Sequence, residues 1–152
     1  ASFWRGFATL RQNYTTTKTQ LSWALCTTMS EIHFLNIDLD LESKESLDLL
    51  VKELGETLSV MTHHSIDETN YASFETGSSG IKEIIEEYFR VYTGLSDESK
   101  VCWSKCSKRE FNLGYESGET PNNYQSLIPE ESLSKLVSIG GCIGITIYPN
   151  YA

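Results

Sequence analysis

The sequence predicts an α+β fold in which a mixed, mainly antiparallel sheet carries about three helices packed on one face. Several short segments alternate apolar and polar residues with a period of two, and three longer segments repeat apolar residues every three or four positions. Two of the short segments follow each other directly, as hairpin strands do, whereas helical segments separate most of the others. This order favours an α+β sandwich over a doubly wound parallel sheet.

The first strand is predicted over residues 32–41, where His33, Leu35 and further apolar residues at every second position form one face. His33 is therefore expected to pack among apolar side chains. The opposite face becomes acidic at Asp38 and Asp40. Two carboxylates at this spacing can hold a divalent cation, but the alternation already requires polar residues there, so we predict no metal at this strand.

Three helices are predicted from their apolar spacing together with their start and stop residues. The first lies between Ser43 and Gly55, and the second between Ser79 and Gly94. The third begins at Pro129, has two glutamates in its positive first turn, and ends at the glycine pair 140–141.

Four further strands are predicted from period-two alternation, at residues 57–62, 71–75, 110–116 and 142–148. The polar residues 63–70 suit a loop or a hairpin connection between the first two of them. The stretch that contains Cys102, Trp103 and Cys106 has no clear period and is expected to be irregular.

Charge divides the chain into two parts. Residues 1–28 contain Arg5, Arg11 and Lys18 but no Asp or Glu, whereas the whole chain has a net charge of −9. This basic, acid-free extension has three explanations: a targeting segment, read-through or tag sequence upstream of Met29, or an extra β-hairpin. Residues 29–152 have the size of a single domain and are predicted to form a single α/β domain.

Composition also narrows the classes of partner. An acidic chain repels phosphate backbones, so we predict no nucleic-acid partner and favour a basic protein. No apolar run approaches the roughly 18 residues that cross a bilayer, so no membrane partner is predicted. Four cysteines without a C-x-x-C pair suit a reducing cytoplasm. The oligomeric state stays undetermined at this level.

Motifs for catalysis are missing from the sequence. It has no G-x-S-x-G, no G-x-x-x-x-G-K-[ST] and no H-E-x-x-H. The pair His63 and His64 with Cys102 and Cys106 leaves one alternative open, a small Cys- or His-dependent enzyme. Neighbouring histidines of a strand point apart and the cysteine spacing is loose for zinc, so we predict no catalytic residue, no metal and no cofactor.

Two features suit recognition of a protein: the acidic face of the second helix and the loop Tyr115 to Tyr124. Carboxylates steer a basic partner, and tyrosines among small polar residues make an adaptable contact surface. A solvated helix face and an ordinary loop are the simpler explanation of the same pattern. The predicted partner-binding residues are Glu83, Glu86, Glu87, Tyr115, Glu116, Glu119 and Tyr124.

The stretch SLIPEESLSKLVSIGGCIGITIY, residues 126–148, resembles the end of a family of small bacterial α/β proteins of unknown function. Some members are immunity proteins encoded near toxin genes. Their last helix similarly opens on Pro-Glu and ends at a glycine before a strand that finishes in Ile-Tyr. The resemblance implies an α/β fold and toxin neutralisation, and it transfers no catalytic residue. We therefore predict a non-enzymatic cytoplasmic protein-binding domain, an immunity protein that neutralises a basic toxin.

Overall fold

The structure is a computed structural model that describes residues 31–119 and 123–149. The basic extension, its possible hairpin and the predicted domain boundary at residue 29 lie outside the described residues. Within them, the elements follow in the order β1 (His33–Ser43), α1 (Asp48–Leu54), β2 (Ser59–Ile66), β3 (Thr69–Glu75), α2 (Ile81–Thr93), α3 (Asp97–Lys105), β4 (Lys108–Glu116), α4 (Glu130–Ser138) and β5 (Cys142–Tyr148).

The strands form one mixed sheet in the order β2-β3-β1-β4-β5. The central strand β1 is antiparallel to both β3 and β4, and β2 is antiparallel to β3. Strands β4 and β5 are parallel, because α4 carries the chain back along the sheet between them. The predicted α+β fold with a mainly antiparallel sheet is confirmed.

The described helices pack on one face of this sheet and number four rather than about three. On the sheet side of the core, Leu39 of β1 lies between Phe74 of β3 and Phe111 of β4, and all three are buried. The helices contribute buried side chains above them, including Leu50, Ile85, Trp103 and Leu136. Each such side chain contributes roughly 1.5–3 kcal/mol through removal from water, so this layer fixes the helices over one face.

The additional helix, α3, occupies the stretch that the sequence predicts to be irregular. Its N-terminus is capped by Ser96, whose Oγ accepts a hydrogen bond from the backbone N–H of Ser99 at 3.1 Å. Its main contribution to the core is Trp103, whose indole N–H donates to the carbonyl oxygen of Ile139 at 2.7 Å. A nine-residue helix with so few apolar residues has little periodicity for sequence reasoning to detect.

The connection between β2 and β3 is tighter than the predicted polar loop. Asp67 and Glu68 form a two-residue turn with φ of 47° and 62°. Turns with positive φ at both positions match the twist of the flanking strands. The histidines at 63 and 64 therefore belong to β2, an edge strand whose side chains are all exposed.

A bulge in β1 changes which of its residues face the core. Between Phe34, which opposes Tyr115, and Ile37, the register against β4 shifts by one residue. Phe34 packs edge-on against Tyr115, whereas Leu35 is 45% exposed and the side chain of His33 is 52% exposed. The prediction that His33 and Leu35 lie in the apolar face is wrong, because one extra residue reverses the alternation.

Candidate functional site

The sheet face opposite the described helices is acidic. Its side chains occupy the strand positions that alternate with the core residues, and six of them are carboxylates: Asp38, Asp40, Glu42, Glu75, Glu110 and Glu116. We call these six residues the acidic face. Arg109 points to the helix side, so Lys108 is the one described lysine or arginine among the strand residues of this face. Lys44, just after β1, donates to the Thr69 hydroxyl at 2.6 Å.

The acidic face is crowded with negative charge near the centre of the sheet. The side-chain amide of Asn36 donates to Asp38 Oδ1 at 3.0 Å and to Glu75 Oε1 at 2.6 Å. Partial burial raises the pKa of Asp38, and the charges of Glu75 and Asp40 raise this pKa further. The ionised carboxylates therefore destabilise one another, and a cation placed among them would relieve that repulsion.

A shallow depression of about 210 Å³ lies on this face beside β2. Asp40 and Glu42 line it together with Lys108, His64 and Tyr71. The His64 ring stacks on the Tyr71 ring at 5.4 Å between centroids. Carboxylates and aromatic rings both attract a guanidinium or an ammonium group, so the lining of this depression suits such a group.

The predicted glutamates of α2 lie on the helix layer, away from the acidic face. Glu86 forms an ion pair with Lys135 of α4, which also donates to Glu131 at 2.9 Å. Glu87 accepts from the Ser78 hydroxyl at 2.6 Å and lies 3.5 Å from the guanidinium of Arg90. The third glutamate, Glu83, shares a groove with Lys82 and Arg90. Charge on this surface is largely balanced by neighbouring cations.

The predicted partner-binding residues Tyr115, Glu116, Glu119 and Tyr124 do not share one surface. Tyr115 is 6% exposed, and its hydroxyl lies 2.9 Å from Ser126 Oγ. It supports Tyr124, which packs edge-on against it and is 43% exposed. Glu116 belongs to the acidic face, where it lies 3.2 Å from His33 Nε2, and Glu119 is exposed in the loop. Tyr115 is therefore largely buried, and its binding of a partner stays a prediction.

The histidines and cysteines that a small Cys- or His-dependent enzyme would use have different surroundings. His63 Nε2 is 3.4 Å from Asp48 Oδ1, whereas His64 stacks on Tyr71. Cys106 is buried in the core, and burial raises the pKa of its thiol to about 11. Because the thiolate is the nucleophilic form, Cys106 is poorly suited to attack a substrate. Across residues 31–119 and 123–149, no three His, Cys, Asp or Glu side chains gather in a way that could hold a metal ion.

Of the acidic face, sequence reasoning assigned only Glu116 to partner binding, and it did not bring Glu75 and Glu110 together with the carboxylates of β1. The alternation of carboxylates in β1 is visible in the sequence, but the neighbours of β1 in the sheet are not. Within the described ranges, no helix has the length and apolar character needed to cross a membrane.

Comparisons with protein-family models, with curated proteins and with solved structures give no match. The resemblance of residues 126–148 to a family with immunity proteins therefore stays a prediction.

Proposed function

We propose that this protein is a non-enzymatic cytoplasmic domain that binds a basic protein, and that it serves as an immunity protein neutralising a basic toxin. The observation that carries the proposal is the acidic face, with six carboxylates and one lysine on strand positions that the described helices leave uncovered.

The strands make the acidic face a rigid surface for a partner. Hydrogen-bonded strands hold Asp40 between Ser73 and Glu110, and Glu42 between Tyr71 and Lys108. Binding to carboxylates that are already fixed costs less conformational entropy than binding to long side chains on a mobile loop. A partner with arginines or lysines at matching spacing would also offset the repulsion by Glu75 and Asp40, which adds to the effect of burial in raising the pKa of Asp38.

The distribution of charge favours this face over α2. The α2 glutamates lie next to Lys82, Arg90 and Lys135, whereas the acidic face has Lys108 alone among its described strand residues. Long-range attraction of a cationic protein depends on uncompensated charge, and the acidic face has more of it than the surface of α2.

Toxin neutralisation follows from the same chemistry. A toxin that acts on nucleic acid presents lysines and arginines to the phosphate backbone. An acidic sheet face that occupies those side chains blocks the toxin from its substrate. This role rests on the charge of the face together with the resemblance of residues 126–148.

A cationic probe tests where binding takes place. The full chain, isotopically labelled, is titrated with an arginine-rich octapeptide while backbone amide shifts are followed by NMR. We expect the largest shifts in β1, β3 and β4, and weaker binding as salt is added. Shifts centred on α2 or spread evenly over the surface would contradict the proposal.

Matched variants test whether charge on this face is the cause. The triple variant Asp40→Asn, Glu42→Gln and Glu110→Gln removes three charges from the acidic face, and Glu56→Gln, Glu98→Gln and Glu130→Gln removes three exposed charges from the helix side. At low salt we expect the first triple to lose at least about tenfold in affinity for the octapeptide, and the second to change little. Equal losses would show that net charge alone is responsible.

The biological role needs a growth assay. A basic protein captured by the full chain is expressed in cells with the wild-type protein or with either triple variant. We expect the wild type and the helix-side triple to restore growth, and the acidic-face triple to fail. A captured protein that is not toxic, or protection that survives loss of the three acidic-face charges, would refute the immunity role.

A further inference from the structure

Strand β5 leaves an apolar surface at one edge of the sheet. It pairs with β4 on one side, and no described strand pairs with its other side. The register places Ile143, Ile145 and Ile147 on the helix side, next to core residues of β4. They are nevertheless 36%, 66% and 62% exposed. We call these three residues the apolar edge.

The apolar edge continues into a neighbouring pocket of about 470 Å³. Ile145 and Ile147 line it together with Ile32 and the two tyrosines that pack edge-on, Tyr115 and Tyr124. Contiguous exposed apolar surface of this kind on a soluble domain marks an interaction site.

Strand β5 itself lacks the charges, prolines and bulges that protect many edge strands from pairing. No charged residue and no proline occurs within Cys142–Tyr148. The opposite edge differs, because β2 has a bulge between Val60 and Thr62. Bulges, charges and prolines are the usual means by which edge strands avoid pairing, so β5 remains a template for another strand.

Charge indicates which strand can pair there. The chain has a net charge of −9, so most contacts between two copies bring like charges together. The segment from Leu136 to Pro149, which contains β5, carries no charged residue. Two copies can therefore approach through this edge without bringing carboxylates face to face.

The sequence of β5 also complements itself. If two β5 strands pair antiparallel about a two-fold axis through Ile145, this residue faces its own copy, and Ile143 faces Ile147 of the second copy in both directions. All three helix-side positions are then filled by isoleucine pairs, as a two-fold interface requires. From the edge that no described strand pairs with, the neutral segment and this pattern, we propose that a second copy of this chain docks on β5 and extends the five-stranded sheet across the dimer.

Two consequences follow for the molecule. A two-fold axis perpendicular to the sheet keeps the helices of both copies on one side, so the two acidic faces join into one larger surface. The isoleucines of the apolar edge are removed from water at the same time, which stabilises the dimer. Dimerisation through β5 does not depend on the identity of any partner of the acidic face.

The oligomeric state of the full chain tests this inference. Light scattering after gel filtration and sedimentation equilibrium are measured across the micromolar range. We expect a monomer–dimer equilibrium for the wild type. Ile145→Lys and Ile145→Glu, each alone, should raise the dissociation constant on the order of a hundredfold, because like charges then face each other across the axis. Val101→Lys, at a 53% exposed position on α3, should dimerise like the wild type.

Mixing the two variants distinguishes this arrangement from any other dimer. Because position 145 faces itself, Ile145→Lys mixed with Ile145→Glu should restore the dimer as a heterodimer. If far-UV circular dichroism shows that either variant is unfolded, Ile147→Lys mixed with Ile143→Glu tests the same register. A wild-type monomer throughout the range, a dimer that survives Ile145→Lys, or folded variants that do not associate on mixing would each overturn the proposal.

Discussion

The carboxylates of Asp38 and Glu75, on the neighbouring strands β1 and β3, accept hydrogen bonds from one and the same side-chain amide, that of Asn36. A neutral amide binds both oxygens without supplying a positive charge. The two carboxylates therefore remain close and uncompensated, whereas Glu110 on the same face pairs with Lys108 at 3.0 Å.

The raised pKa of Asp38 predicts a specific dependence of stability on pH. Its pKa in the folded chain lies above the ordinary value of 3.8, so the native state binds this proton more tightly than the unfolded state does. The contribution of Asp38 is therefore favourable below pH 3.8 and is lost as the pH rises through the folded pKa. Asp38→Asn keeps an acceptor for Asn36 and should increase the free energy of unfolding at pH 7 by roughly 0.5 kcal/mol, a small gain because solvent screens this partly exposed group.

Urea unfolding from about pH 3.5 to pH 7 measures this effect. The difference between Asp38→Asn and the wild type should grow as the pH rises, while exposed Glu56→Gln changes little. A loss of stability in Asp38→Asn at pH 7 would contradict the assignment.

Arg109 joins the ends of two helices. Its guanidinium donates to the carbonyl oxygens of Gly140 at 2.9 Å, Trp103 at 3.0 Å and Cys106 at 2.6 Å. Trp103 lies in the last turn of α3, Cys106 directly follows α3, and Gly140 lies just beyond the end of α4. Arg109→Met should lower the free energy of unfolding by about 2–3 kcal/mol, because these acceptors lose a charged donor. Arg90 provides the control, because its side chain is 67% exposed. Arg90→Met should lower the free energy of unfolding by less than about 0.5 kcal/mol. Equal losses in denaturant unfolding would refute this role for Arg109.

Ser132 places a hydroxyl inside the core without a hydrogen bond. The residue is fully buried on α4, and its Oγ has no partner among the described residues. Ser132→Ala should raise the free energy of unfolding by about 1 kcal/mol, because it removes a buried polar group and favours the helix. The exposed Ser134→Ala on the same helix measures the helix propensity alone. The assignment fails if thermal unfolding shows no additional gain for Ser132→Ala.

The thiol of Cys106 should be unreactive. Its pKa of about 11, against 9.0 for an ordinary thiol, lowers the thiolate fraction at pH 8 by about a hundredfold, and burial limits access further. Alkylation by iodoacetamide, mapped by mass spectrometry, should modify the exposed Cys142 at least about tenfold faster than Cys106. Preferential modification of Cys106 would revive the alternative of a thiol enzyme.

Local sequence patterns predicted most helices and strands, but they did not predict which elements pack next to each other. Gly94 follows α2 as predicted, and Pro129 directly precedes α4, because caps and apolar spacing act within a few residues. The predicted start after Ser43 was too early, since this residue ends β1 and is buried while α1 begins at Asp48. Ser43 Oγ instead accepts from the backbone N–H of Glu45, a local turn that sequence alone does not distinguish from a cap.

The sequence by itself determined the α+β class, the alternation of Asp38 with Asp40, and the excess of negative charge, because composition and period are properties of the chain. Only the tertiary structure decided that Glu75 and Glu110 lie beside these aspartates, that Glu86 is neutralised by Lys135, and that the isoleucines of β5 are exposed. Strand order and helix packing bring together residues far apart in sequence, and those contacts depend on the burial of the whole core rather than on any local pattern.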